Sequence, residues 1–230
     1  MSQPFQCLGL IGDVHGEDEY LAIAIARLQG LGAEKLLCVG DLCDGRGDVN
    51  CVCDLLRENE VLTVRGNHDR WLLSGQARDL PEAISAETVE ARTWEFLRAL
   101  PLIIEMQTVV GTLLLCHGMG ANDMGRLEPG DYGYGLENNL ELLKIYLQAD
   151  IAFVVAGHTH KLMVRRFARR SGAPLTIINA GQLKHNVGPV FAHADFSKGT
   201  VQFFEIHSEG VQAGPCFNWK EMAPEGASFR

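Results

Sequence analysis

The chain has little that would carry it along a nucleic acid or into a membrane. Its 230 residues hold 20 Lys and Arg against 29 Asp and Glu, a formal charge of −9. That balance argues against an extended basic groove tracking a phosphate backbone and against a polybasic membrane surface. No apolar stretch approaches the roughly 18 residues that a bilayer span needs. The first residues show no basic segment followed by an apolar run and a small-residue cleavage site, so a cytoplasmic location is expected. The seven cysteines contain no Cys-x-x-Cys pair. Several sit in apolar runs such as Leu36-Leu37-Cys38-Val39, which suits reduced, buried thiols. Cys43, Cys51 and Cys53 stand near one another without a fourth soft ligand, so packing is preferred to a thiolate metal site. A dinucleotide loop is also missing, because Gly9-x-x-Gly12 lacks the G-x-G-x-x-G spacing and Asp13 would repel a pyrophosphate.

What the chain does have is alternation. Short apolar runs at 6–11, 36–39, 61–64, 112–116 and 151–156 read as buried strands. Between them, helical periodicity predicts helices over 17–31, 49–58, 70–79, 85–99 and 136–148. The third follows Asp69, the fourth is capped by Ser85 and stopped by Pro101, and the last carries Leu136, Leu140, Leu143 and Leu147 on one face. From 163 onward strands and turns dominate, at 163–168, 175–179, 189–195 and 200–206. An α/β protein follows, with two mixed sheets packed face to face and helices outside. No repeat or linker divides it, so one domain is expected over 1–230, with a helical cap at 70–100 and a surface tail at 208–230.

The residues standing after the apolar runs carry the chemistry. They are Gly12-Asp13-Val14-His15-Gly16, Gly40-Asp41-Leu42-Cys43-Asp44-Gly45, Arg65-Gly66-Asn67-His68-Asp69, His117-Gly118 and Gly157-His158-Thr159-His160. Asp or Asn after a strand is often a plain turn residue, and a lone His is often a satisfied core residue. Five such segments at the same end of five strands are hard to explain as turn chemistry, and ligands of open α/β sheets collect at that edge. Imidazole with carboxylate and amide oxygen suits Mn, Fe, Zn, Ni or Co. About eight ligand atoms exceed the needs of one ion, whereas two ions about 3.5–4 Å apart sharing a carboxylate use them all.

In that order, Gly-Asp-Val-His-Gly, Gly-Asp-x-x-Asp, Gly-Asn-His-Asp, His-Gly and Gly-His-Thr-His resemble the motifs of the calcineurin-like metallophosphoesterases. The resemblance runs from Asp13 to His160 and, with the sheet that should follow, to about residue 206. It implies an αββα sandwich with two divalent ions, Mn²⁺ foremost, at the C-terminal strand ends. Carried over by motif, one ion would be held by Asp13, His15, Asp41 and His160. The other would be held by Asp41, Asn67, His117 and His158, with Asp41 bridging. The implied reaction is phosphoester hydrolysis by hydroxide held between the ions. His68 would be the general acid and Asp44 the carboxylate orienting it, although an Asx turn before Gly45 is the plain alternative for Asp44. A non-catalytic binding or scaffold protein on the same fold is the rival reading.

Substrate is less legible. Val-Arg-Gly-Asn-His-Asp and the stretch 100–104 resemble the serine/threonine phosphatase branch. Gly-His-Thr-His and the stretch 178–182 resemble the small bacterial phosphodiesterases. The phosphatase branch has Asp-Arg-Gly where this chain reads Asp44-Gly45-Arg46-Gly47, which displaces a candidate phosphate-binding Arg46 by one position. Arg65 is the substitute candidate. Arg165, Arg166, Arg169 and Arg170 form a basic cluster, read first as an exposed solubilising patch. A small phosphoester, nucleotide-like or a monoester, is expected in preference to a phosphoprotein.

Overall fold

The computed structural model describes residues 3–76 and 79–226. Residues 77–78 of the expected third helix and 227–230 of the expected tail lie outside the described residues.

Two six-stranded mixed sheets stack face to face. The first runs β11 (Gly210–Asn218), β10 (Thr200–His207), β9 (Val190–Asp195), β1 (Cys7–Ile11), β2 (Lys35–Cys38), β3 (Leu62–Thr63). The second runs β12 (Glu225–Gly226), β7 (Met163–Ala168), β8 (Leu175–Asn179), β6 (Ile151–Ala156), β5 (Gly111–Cys116), β4 (Ile103–Thr108). Period-2 alternation assigns the faces. Leu8, Leu10, Leu37 and Val39 meet Leu113, Leu115, Phe153, Val155 and Ile178 between the sheets. Ile11, Leu36 and Cys38 point the other way, to α1 (Asp18–Gly30), α2 (Val49–Glu58), α3 (Asn67–Leu73) and α4 (Ala91–Ala99). Leu114, Cys116, Val154 and Ile177 face α5 (Tyr134–Glu137) and α6 (Leu140–Tyr146). The result is the expected αββα sandwich. Each large apolar side chain buried on either face contributes about 1.5–3 kcal/mol.

Within each sheet three neighbouring strands run parallel, β1–β2–β3 in one and β5–β6–β8 in the other. Their C-terminal ends meet across the sandwich, where His158 N–H donates to Asp13 Oδ1 at 3.0 Å. Parallel strands therefore bring the five motif loops to one edge.

Several elements differ from the sequence expectation. β4 was not read as a strand because it is an edge strand with only Met106 and Thr108 buried, so no continuous apolar run marks it. The helix expected at 136–148 breaks at 138–139, where Asn139 Oδ1 caps α6 by accepting Leu142 N–H at 3.0 Å. Its buried face is Leu136, Leu142 and Ile145, while Leu140 and Leu147 are exposed. Ser85 caps a short 3₁₀ turn at Ala86–Thr88, and α4 starts only at Ala91. α3 begins three residues before the expected start, at Asn67 inside a motif. The expected surface tail is in part an edge strand: β11 pairs antiparallel with β10, and Trp219 beyond it is 3% exposed. Most β11 residues are half-buried or exposed, so no alternation announces the strand.

The expected cap mostly packs on the body. Buried Asn50 of α2 donates to Thr88 O at 3.0 Å and accepts from Glu90 N–H and Thr93 Oγ1 at 2.9 and 2.8 Å, while Leu97 enters the core. Trp71 and the stretch around Ile84 reach the motif loops. The basic cluster is tied down as well. Arg165 pairs with Glu225, Arg166 donates to Met222 O, and Arg169 gathers the carbonyls of Ile145, Tyr146, Gln148 and Ile151 around the end of α6. These three arginines hold chain segments together and do not form a free patch.

Candidate metal centre

The turns that carry the motif residues are strained, and the strain sits where the donors are. Six non-glycine residues have left-handed φ among the described residues, and five are His15, Asp41, Asp44, His158 and His160. Each costs on the order of 1 kcal/mol or more and persists only where the surroundings impose it. Asp69 imposes part of it. Its Oδ2 accepts Gly66 N–H at 2.9 Å, closing the first turn of α3. Its Oδ1 accepts the amides of Leu42 and Cys43 at 2.8 and 3.2 Å, which pins the Asp41 loop to the Asn67 loop. Asn179, 1% exposed, does the same for the last motif, donating to Gly157 O at 2.8 Å and to Thr159 Oγ1 at 3.1 Å.

All seven expected metal ligands converge. Asp13, His15, Asp41 and His160 form a group whose donor atoms lie within 4.8 Å of one another. Nε2 of His15 and Nε2 of His160 are 3.1 Å apart. Beside them, Asn67 Oδ1 lies 2.9 Å from both His117 Nε2 and His158 Nδ1. Asp41 joins the two groups, because its Oδ2 is 3.3 Å from His117 Nε2 and 4.0 Å from His15 Nε2.

Partners on the far side of the rings orient them. His117 Nδ1 donates to Val39 O at 2.8 Å, and His15 Nδ1 donates to Asp44 O at 3.1 Å, so each turns Nε2 inward. Asp13 is fully buried. Its Oδ1 accepts His158 N–H at 3.0 Å, while its Oδ2 is buried with no partner among the described residues.

Burial lifts the Asp13 carboxyl to about 7, only partly offset by His117. Burial also opposes ionisation of Asp41, yet His117, His15 and His68 hold its carboxyl below the usual range. Burial disfavours the charged form of His117 as well, but Asp41 and Asp13 raise it to about 10. His160 is pushed down to about 3 by burial and by His15. One ring holds a proton tightly and a close neighbour sheds one, which is what converging ligand atoms do without their cation. An orphaned carboxylate oxygen and facing imidazole nitrogens fit divalent ions of the Mn, Fe, Zn, Ni or Co type.

His68 and Asp44 stand at the rim. His68 Nδ1 donates to Asp44 Oδ2 at 2.8 Å, and Nε2 lies 4.0 Å from Asp41 Oδ2. Burial acts against the imidazolium, but the Asp44 bond and the charge of Asp41 leave its pKa raised. Asp44 Oδ1 accepts Ile84 N–H at 3.1 Å, so an Asx turn does not account for this residue. Trp71 packs on the His68 ring, with centroids 4.8 Å apart. Cys43 is buried and its thiol is pushed far up by burial and by Asp69, which leaves it a packing residue.

Neither of the two expected phosphate-binding arginines is hydrogen-bonded to a cluster residue among the described residues. Arg46 is exposed and lines a cleft of about 290 Å³ with Glu17, Tyr20 and His185. The reason is steric: a Cβ on Gly45 would overlap the carbonyl of His15, so no side chain fits directly after Asp44. Arg65 donates its backbone N–H to Pro101 O, and its Nε is buried without a partner among the described residues. A cation that no motif marks stands one helical turn further on. Arg70 lies one turn beyond Asn67 on the same helix face and is held by Asp123 through Nε and Nη2, at 2.5 and 3.2 Å. Its place in a helix that starts within the motif was the available signal; nothing in the sequence marks Asp123.

An αββα sandwich with a carboxylate–imidazole cluster at its parallel strand ends defines a metal-binding α/β protein. The chain belongs to the calcineurin-like phosphoesterase superfamily, whose domain it matches over residues 7–206. It is 29% identical over 105 residues to an uncharacterised protein of Methanocaldococcus jannaschii, and the match spans 43% of each chain. Its fold resembles that of a metallophosphoesterase from Sphaerobacter thermophilus (TM-score 0.64, 18% identity, 88% of both chains). It also resembles a hypothetical protein from Pyrococcus horikoshii (TM-score 0.67, 15% identity, 86% of this chain and 87% of that one).

Proposed function

We propose that the protein is a two-metal-dependent phosphoester hydrolase. The observation that carries this is the position of Asp41 Oδ2 between two converging donor sets, which supports it as the shared ligand. Asp13, His15, Asp41 and His160 would hold one ion, and Asp41, Asn67, His117 and His158 the other. Mn²⁺ is the first candidate. When bound, such ions supply Lewis acidity, lowering the pKa of water and neutralising charge on phosphate oxygens.

The chain's own residues supply the proton. His68 is raised toward its charged form, its Nδ1 is engaged by Asp44, and Nε2 faces the centre. Nε2–H is therefore the donor to the leaving oxygen, and Asp44 balances the imidazolium until it discharges. Strain in the five left-handed residues pre-sets the donors, so binding does not have to reorganise them. Seven free thiols support a reducing compartment such as the cytoplasm. A small phosphoester is the proposed substrate class.

The test is metal analysis of the purified protein combined with hydrolysis of p-nitrophenyl phosphate and bis(p-nitrophenyl) phosphate under Mn²⁺. About two ions per chain and turnover of at least one ester are expected. Bound metal without turnover of either ester would favour the rival, a binding protein on the same fold.

A further inference from the structure

The guanidinium of Arg70 is held by Asp123, and its position in the helix and this partner both tie it to the loops of the Asn67–His117 half of the centre. Asn67 and Arg70 are three residues apart in α3 and so share a helix face. The same spacing puts Trp71 against His68, as the 4.8 Å ring separation confirms. Asp123 belongs to the loop after His117. A Cβ on Gly118 would come within 2.9 Å of the Asp123 backbone, so Asp123 is packed directly against the residue following His117. The Arg70–Asp123 pair thus joins the two loops that carry Asn67 and His117, and 38% of the Arg70 side chain is open to solvent.

Asp123 takes Nε and Nη2, whereas a guanidinium carries five N–H donors. Three remain, including both on Nη1. A planar cation held by a carboxylate on one edge and open on the other is the arrangement that reads phosphate oxygens. Of the two arginines marked by the motifs, Arg46 faces an acidic cleft and Arg65 has its Nε buried.

We infer that Arg70, positioned by Asp123, binds the phosphoryl group of the substrate and favours monoesters over diesters. A monoester dianion presents three non-bridging oxygens, one more than a diester, and it carries the extra charge that a further cation rewards. This inference rests on the phosphohydrolase reading.

The experiment measures binding of inorganic phosphate by calorimetry to the Mn²⁺-loaded protein, alongside KM and kcat for the two p-nitrophenyl esters. Wild type, Arg70→Ala, Arg70→Lys and Asp123→Asn are compared, with metal content measured for each. Arg70→Ala should keep its metal, bind phosphate at least about tenfold more weakly, and raise KM for the monoester by a similar factor, with a smaller change for the diester. Arg70→Lys should recover part of the loss, and Asp123→Asn should weaken phosphate a few-fold.

A pair that merely fastens two loops would lower thermal stability and leave these affinities unchanged, and that result overturns the inference. Equal losses for both esters overturn the monoester preference. Should wild type bind phosphate through Arg70 yet hydrolyse neither ester, the hydrolase reading fails while the anion site stands. Should both esters turn over with KM and phosphate affinity indifferent to Arg70, the reverse holds.

Discussion

The backbone N–H of His68 donates to Asp41 Oδ1 at 2.8 Å, which leaves Oδ2 to face the imidazoles of His117 and His15. One carboxylate therefore fixes the start of α3 and presents its other oxygen to both donor sets. Asp41→Asn should lose metal from both positions and reduce activity by at least about 100-fold. His68→Ala should retain both ions and lose about 10²–10⁴-fold in rate. Metal analysis of the two variants separates a ligand from a proton donor. An emptied centre in His68→Ala would show that the ring serves metal binding and not proton transfer.

Asp44 holds the His68 ring by a 2.8 Å bond, and the His68 pKa is raised despite burial. A general acid works while protonated, so the rate should fall as pH climbs through the His68 pKa. Asp44→Asn keeps an acceptor but removes the charge that favours imidazolium. The alkaline limb of the kcat/KM profile should move to lower pH, with metal content unchanged. An unmoved limb would separate Asp44 from proton transfer.

Without metal, the titrating groups of the centre make stability depend on pH. Asp13 is lifted by burial from 3.8 to about 7, so the folded chain keeps a proton that the unfolded chain releases. Its contribution is present in acid and lost as pH rises to about 7. His117, raised from 6.5 to about 10 by Asp41 and Asp13 against the opposing effect of burial, contributes fully below 6.5 and loses that contribution as pH climbs through about 10. Below pH 6.5 the Asp13 loss is opposed by His160, whose imidazole is pushed down to about 3 and therefore favours folding more as pH rises to 6.5. Chelated protein should melt at progressively lower temperature from about pH 6.5 to about pH 10. Divalent ions replace those protons and should add about 2.7 kcal/mol per site at a hundredfold excess over Kd. Identical melting curves with chelator and with Mn²⁺ would remove the metal reading.

The displaced arginine of the second motif has a steric origin, and that yields a further test. Gly45 lies against the carbonyl of His15 with no room for a side chain. Gly45→Arg places an arginine directly after Asp44 but must push the His15 loop outward, costing at least about 1–3 kcal/mol as overpacking does. Reduced Tm and reduced metal content are expected. A stable, metal-loaded Gly45→Arg protein with higher monoesterase activity would show that the loop yields.

The motif residues were legible because parallel strands end at one edge, so the position of Asp13, Asp41, Asn67, His117 and His158 along the chain maps onto their position in space. Residues that act across the fold were not. Asp123 meets Arg70 over 53 positions of sequence, and no periodicity marks such a pair. Edge strands were lost for a different reason. β4 and β11 each bury too few side chains to produce the alternation that identifies a strand. Helix faces were misread where polar caps intervene, as at Asn139, because apolar spacing carries no information about where a helix is cut.

The C-terminal segment offers the last test, since its weak patterning conceals a structural contribution. Trp219 is 3% exposed and lies between the sheets, its ring 5.4 Å from that of Phe153 and 5.5 Å from that of Phe196. Trp219 N–H is bonded to Gly199 O at 2.9 Å, which fastens the segment after β11 to the turn before β10. Trp219→Ala leaves a cavity between two sheets that cannot close without disturbing both, so a loss of about 3–5 kcal/mol is expected. Thermal or denaturant unfolding measures it. Metal content should not change, because the contacts of Trp219 are with the inter-sheet core. An unchanged midpoint would show that this segment lies on the surface after all.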